Sequence, residues 1–413
     1  MADSADPLVF FGATAALIFL GFAGNLVFSR FRLNDTVLLI AVGVALGPVS
    51  HVVDPAGLAP ARSVIGALAL ILILFDGGLA LKAHDLLHGV GAAAVLAVLG
   101  FALGAVGMAG IVAWMLGLPF LTALILGAVL GGTSAMVVLP SLQHMQVSRR
   151  TATVLGLEST MTSILVVVVV FALINVATLG GVDAQAVTST LVITFAMSIL
   201  GGVAVAFLWL RVAPHVKDRP YSYMLTLGVV FALYAGVEWV LADVGGGGGP
   251  LAVLAFGVVV GNATSMRAMR MHIGDDFAPG LKRFQGELAF LVRTFFFVYL
   301  GILVDLDALR DASTWGLGLA VLVVMLVTRY VAVISVARSW RPTGESLVMT
   351  LMLPRGLAAA VMAAEAARRG VAGTERFVAI AFMAIILSNV FTTVASLVLE
   401  RRTARGAGLS GSP

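Results

Sequence analysis

Five polar side chains crowd six positions of one apolar stretch, LGLESTMTSILVVVVV, residues 155–170: Glu158, Ser159, Thr160, Thr162 and Ser163. A charge at mid-membrane depth costs a few kcal/mol even on lenient insertion scales, so such a group needs a partner or a task. Carboxylate and hydroxyl oxygens are ligands for hard cations, and a carboxylate also titrates. Three arginines, Arg293, Arg329 and Arg355, fall within other apolar stretches and are the available counter-charges. Two further stretches interrupt themselves. LTALILGAVLGGTSAMVVLP has Gly131-Gly132-Thr133-Ser134 near its middle, and SLVMTLMLPRGLAAAVMAA has Pro354-Arg355-Gly356. Proline removes a backbone donor and glycine loosens the chain. Unwound backbone at membrane depth is tolerated only where it lines a cavity or is buried in protein. A pair of interrupted helices in corresponding halves is the strongest sequence pointer to a transport site.

The elements that must position these residues follow from composition. The chain has 413 residues, 60% hydrophobic and 11% charged, with a mean hydropathy of +1.08. Soluble domains carry about 25% charged residues, so the expectation is an all-α polytopic membrane protein. There is no cysteine, which excludes disulfides and thiolate metal sites. The histidines lack metal-ligand spacing, and GGGGG (245–249) is not followed by the Gly-Lys-Ser/Thr of a phosphate loop. No nucleic-acid partner and no organic cofactor are expected.

A bilayer core of about 30 Å needs roughly 20 apolar residues per helix. Thirteen stretches qualify: 8–28, 35–53, 62–82, 88–117, 119–139, 149–179, 184–213, 221–243, 248–263, 277–303, 312–337, 343–367 and 375–399. With the N-terminus outside, the outer loops hold only Arg62, Arg310, Arg368, Arg369 and Arg376. Three arginines stay within the membrane, and the other 17 of the 25 basic residues fall inside. That asymmetry is what the positive-inside rule demands. It predicts a cell-membrane protein with its C-terminus in the cytoplasm, residues 1–403 forming one transmembrane unit and 404–413 a short polar tail. Six stretches either side of the seventh would give two inverted six-helix repeats, with the interrupted stretches 119–139 and 343–367 as counterparts. Glu238 and Asp243, at an outer end, read as solvated, and Arg293 as snorkelling toward the cytoplasmic face.

The segments LFDGGLALK (74–82), GGTSAMVVLP (131–140), LGLESTMTS (155–163), RTFFFVYLGILVDL (293–306), VTRYVAV (327–333) and LPRGLAAAVMA (353–363) together resemble the NhaP-type cation/proton antiporters. The resemblance implies an NhaA/NhaP-like fold with crossed interrupted helices and a core domain rocking against a dimerisation domain. It implies a homodimer in the lipid bilayer that exchanges Na⁺ or K⁺ for H⁺, and no enzymatic activity. It places the ion site at Thr133, Ser134, Thr162 and Ser163, with Na⁺ or K⁺ held by Thr133, Thr162 and Ser163. It further implies a structural ion pair in the core among Glu158, Arg329 and Arg355, with Asp76 a proton candidate in the funnel.

One position departs from the family. Five residues after the glutamate, where the family has its ion- and proton-binding aspartate, stands Ser163. Serine offers lone pairs to a cation and does not titrate. The core then holds Arg293, Arg329 and Arg355 against Glu158 and Asp76, one positive charge in excess, which a bound anion or a water-filled funnel would offset. Impaired antiport is the expectation. The alternatives are an uncoupled channel-like or transport-inactive homologue and, further off, a sodium-coupled organic-anion symporter.

Overall fold

The computed structural model describes residues 35–51, 61–81, 90–143 (53 and 145 besides), 147–178, 184–216, 221–242, 247–263, 277–304, 312–337 and 345–409, with scattered residues between 12 and 23. Every described element is helical. In chain order they are α1 (Asp35–Val44, running into a π-helical turn Ala45–Val49), α2 (Ala61–Ala80), α3 (Val90–Leu116), α4 (Phe120–Val129) and α5 (Ala135–Gln143). Then come α6 (Arg149–Thr178), α7 (Ala184–Val216), α8 (Ser222–Val240), α9 (Gly249–Gly261) and α10 (Phe277–Ile302). Last are α11 (Ala312–Ala337), α12 (Ser346–Leu351), α13 (Leu357–Arg368) and α14 (Phe377–Leu409). Among the described residues seven helices are long and apolar enough to cross a membrane, and several shorter apolar ones accompany them. The first expected stretch, 8–28, lies almost wholly outside the described residues. Each of the other stretches carries a helix, and α14 continues through the expected tail as far as Leu409.

The predicted interruptions are real breaks. Residues 130–134 separate α4 from α5, and 352–356 separate α12 from α13. The helices pack in two groups. In one, α2 lies along α9, α9 along α7 and α8, and α10 along α1 and α2. In the other, α3 packs on α4, α6 and α11, and α14 on α11 and α13. The groups meet chiefly where α2 crosses α6 and α13.

With hydrocarbon outside, helix association rests on close packing, which small residues permit. A Cβ added at Gly127 of α4 would lie 2.1 Å from the Ala105 carbonyl oxygen of α3, and one at Gly78 of α2 would lie 2.7 Å from that of Leu254 on α9. Gly127→Val is therefore expected to lower stability by about 1–3 kcal/mol, as overpacking a rigid contact does. The detergent melting temperature checks it; an unchanged value would mean that α3 and α4 are not held this closely.

Glu238 is not solvated as expected. Half-buried at the end of α8, its carboxylate accepts the Gly247 N–H at 2.9 Å and the Gly249 N–H at 3.0 Å, which caps the start of α9.

Candidate functional site

The site begins with orphaned backbone. A helix leaves its last carbonyls and first N–H groups unpaired, and here two helices stop in mid-protein. The breaks answer one another: the Ser134 N–H donates to the Pro354 carbonyl at 2.8 Å. A Cβ on Gly356 would meet Ser134 Oγ at 2.4 Å, so only glycine lets the second break approach the first so closely. Against this crossing lies α6. A Cβ on Gly132 would come within 2.8 Å of the Thr162 carbonyl oxygen.

Glu158 is 1% exposed and its partner is Arg329, 6% exposed. The guanidinium spans the carboxylate, Nη1 to Oε1 at 2.8 Å and Nη2 to Oε2 at 3.0 Å, while Nε donates to the Met349 carbonyl of α12 at 3.0 Å. Such two-pronged, charge-assisted pairing is the strong form of the interaction. Thr133 Oγ1 donates to Glu158 Oε1 at 3.1 Å, and the Thr133 N–H donates to Thr162 Oγ1 at 3.1 Å. The ion pair thus anchors the first break to α6 and, through Met349, reaches the second.

The expected core ion pair is formed by Glu158 and Arg329, and Arg355 stands outside it. Arg355 is 4% exposed, and its Nε and Nη1 find no partner among the described residues. Three donors already engage the Glu158 carboxylate, two from the Arg329 fork and one from Thr133. The Arg355 backbone is fixed instead, its N–H donating to Ser388 Oγ at 3.0 Å and its carbonyl accepting from Asn389 Nδ2 at 2.8 Å.

Beside the crossing lies a cavity of about 310 Å³, whose wall includes Thr133, Ser134 and Ser163, with Asp76 and Gly77 of α2, Thr160 of α6, Lys282 of α10 and Gly356–Ala359 of α13. Ser163 Oγ lies 3.1 Å from the Thr133 carbonyl and 2.8 Å from that of Ser159 and donates its proton to one of them, leaving lone pairs for the cavity. Thr162 was expected to border this space. It is 1% exposed, holds the backbone behind the wall and is not among the lining residues. Asp76 is the one carboxylate among the residues that line the cavity. Lys282, exposed near the start of α10, is the charge acting on it. Sequence reasoning passed over Lys282, Ser388 and Asn389. The two polar residues sit in the apolar run of α14 as possible signals; Lys282 carried none. Among the described residues no group of three or more His, Cys, Asp or Glu side chains could hold a metal ion.

Two interrupted helices that meet beside a cavity bearing hydroxyls and one carboxylate are the architecture from which binding sites in membrane-transporter folds are built. The structure superposes on the sodium/proton antiporter MjNhaP1 of Methanocaldococcus jannaschii at pH 8 with a TM-score of 0.77, covering 96% of this chain and 97% of that one at 21% identity. The chain belongs to the sodium/hydrogen exchanger transmembrane family, which it matches over residues 14–401. Among curated relatives, the K⁺/H⁺ antiporter NhaP of Alkalimonas amylolytica is 28% identical over 334 residues, 79% of this chain and 55% of that protein. The K⁺/H⁺ antiporter NhaP2 of Shewanella sp. strain MR-4 is 24% identical over 416 residues, 98% of this chain and 68% of that protein. The chain thus spans little more than half of the first relative and about two thirds of the second.

Proposed function

We propose that this chain is a secondary transporter that exchanges a monovalent cation, Na⁺ or K⁺, for protons, with a coupling impaired by Ser163. The observation that carries this reading is the cavity at the crossing: its otherwise largely apolar wall includes Thr133, Ser134 and Ser163, and the one carboxylate on it, Asp76, lies on α2. Exchange is coupled when cation and proton compete for one carboxylate. Glu158 is already committed to the fold, both its oxygens engaged by Arg329 and one also by Thr133, and it is not among the residues that line the cavity. Asp76 is then the group left to carry whatever exchange remains. The α3–α6 and α11–α14 group would be the core domain, and the group containing α2 and α7–α10 would face a second copy in a homodimer. Proteoliposomes loaded with a pH-sensitive dye test the reading. A weak cation-driven pH change that Asp76→Asn abolishes is expected; cation-driven exchange at full strength in that variant would overturn the role of Asp76.

The proposed topology has thirteen crossings, N-terminus outside and C-terminus in the cytoplasm. Reporter tags at the two ends should then lie on opposite sides of the membrane. Both on one side would remove the inverted repeat.

A further inference from the structure

A single tie between α10 and α2 fixes which of their side chains share a depth. Gln285 of α10 is buried, and its Nε2 donates to the Leu72 carbonyl of α2 at 3.1 Å. Lys282 stands three residues before Gln285 on α10, and Asp76 four residues after Leu72 on α2. A helix rises about 1.5 Å per residue, so the two steps are about 4.5 and 6 Å. Gln285 meets Leu72, and Lys282 lines the same cavity as Asp76, so the two helices run antiparallel here and both steps lead the same way. Lys282 therefore stands level with Asp76 to within about 2 Å along the helix axes.

These two are the only charged side chains among the described residues that line the cavity. Asp76 is half-buried and Lys282 is exposed. A lysine carries its ammonium on a flexible four-carbon stem, so from this position the charge can swing between the cavity and the water outside. A cation arriving at Asp76 meets a like charge on the same wall. The next basic residue, Arg283, is turned elsewhere: its Nε lies 3.8 Å from Glu287 Oε1 on its own helix, and it is not among the lining residues.

We propose that Lys282 sets the affinity of the cavity for the transported Na⁺ or K⁺, its ammonium being a tethered rival that the incoming ion displaces from Asp76. The proposal rests on the exchange function proposed above and adds to it the group against which the ion competes. Displacement costs little in desolvation, because the ammonium moves out into water.

The test measures binding, not exchange. The full chain is purified in detergent and titrated with radioactive sodium, or with rubidium standing in for potassium, at about pH 9, where protons compete least for a carboxylate. Lys282→Met, which keeps the stem and drops the charge, is expected to bind either ion about three- to tenfold more tightly, the range for removing one partly solvated like charge. The gain should shrink as ionic strength is raised with choline chloride, because exposed charges are screened. Lys282→Arg should bind as the unmodified chain does. So should Arg283→Gln, which removes the same charge one residue away. An affinity of Lys282→Met equal to that of the unmodified chain overturns the proposal, as does a gain that salt leaves untouched or that Arg283→Gln reproduces. If Lys282→Met does not fold, Lys282→Gln decides in the same way. Ion binding that Asp76→Asn abolishes and Lys282→Met leaves unchanged would overturn this proposal alone; no bound ion in any of these proteins would overturn the proposed function with it.

Discussion

Ser163→Asp is expected to raise proton-coupled Na⁺ or K⁺ exchange tenfold or more. The unmodified chain should show little or no exchange between about pH 6 and 9, because the hydroxyl at position 163 does not titrate there. A carboxylate about 4 Å from a cation is worth about 4 kcal/mol at an effective dielectric constant of about 20. That corresponds to about three decades in affinity before desolvation is charged against it. Position 163 already borders the cavity, so the new group needs no change of backbone. The measurement is a cation-jump assay in proteoliposomes over that pH range. Equal, vigorous exchange by both proteins would refute the expectation and place the proton on another group, Asp76 first.

Glu158→Ala should cost folded protein as well as transport. Removing one member of a buried ion pair typically destabilises by 3–5 kcal/mol, because the other charge is left alone. Here it would strand Arg329 beside the already unpaired Arg355 and strip Thr133 of its acceptor. A conservative Glu158→Gln change keeps the shape, loses the charge and should fall between. Folded yield and detergent melting temperature report the effect; a variant indistinguishable from the unmodified chain would show that the pair carries no structural weight.

Much of this arrangement is legible in the sequence because the membrane leaves so few options. A single glutamate among apolar residues must find a cation, and glycine and proline in mid-stretch mark where helices stop. The choice between Arg329 and Arg355 was not legible. Both are long side chains at similar depth, and the outcome turns on which guanidinium meets the carboxylate squarely while reaching the Met349 carbonyl. The division of labour between Thr162 and Ser163 was half visible. Successive residues on a helix differ by about 100°, so Thr162 shares a face with Glu158 and Ser163 turns away. Which of those faces met the cavity depended on how α6 packs against the first break. Lys282 could not be found at all, since one lysine near a helix start looks like any interfacial charge.

The hydrogen bond between the Ser134 N–H and the Pro354 carbonyl has a consequence for how such a protein can change over time. It joins the two breaks through main-chain atoms alone. Side chains at the crossing can therefore be exchanged while that link persists, provided the residue at 134 keeps its N–H and the one at 356 stays small. The scaffold is in this sense indifferent to the chemistry mounted on it. Outside the Glu158–Arg329 pair, a lineage can drop a titrating group or try a neutral ligand by a single substitution while that main-chain link persists.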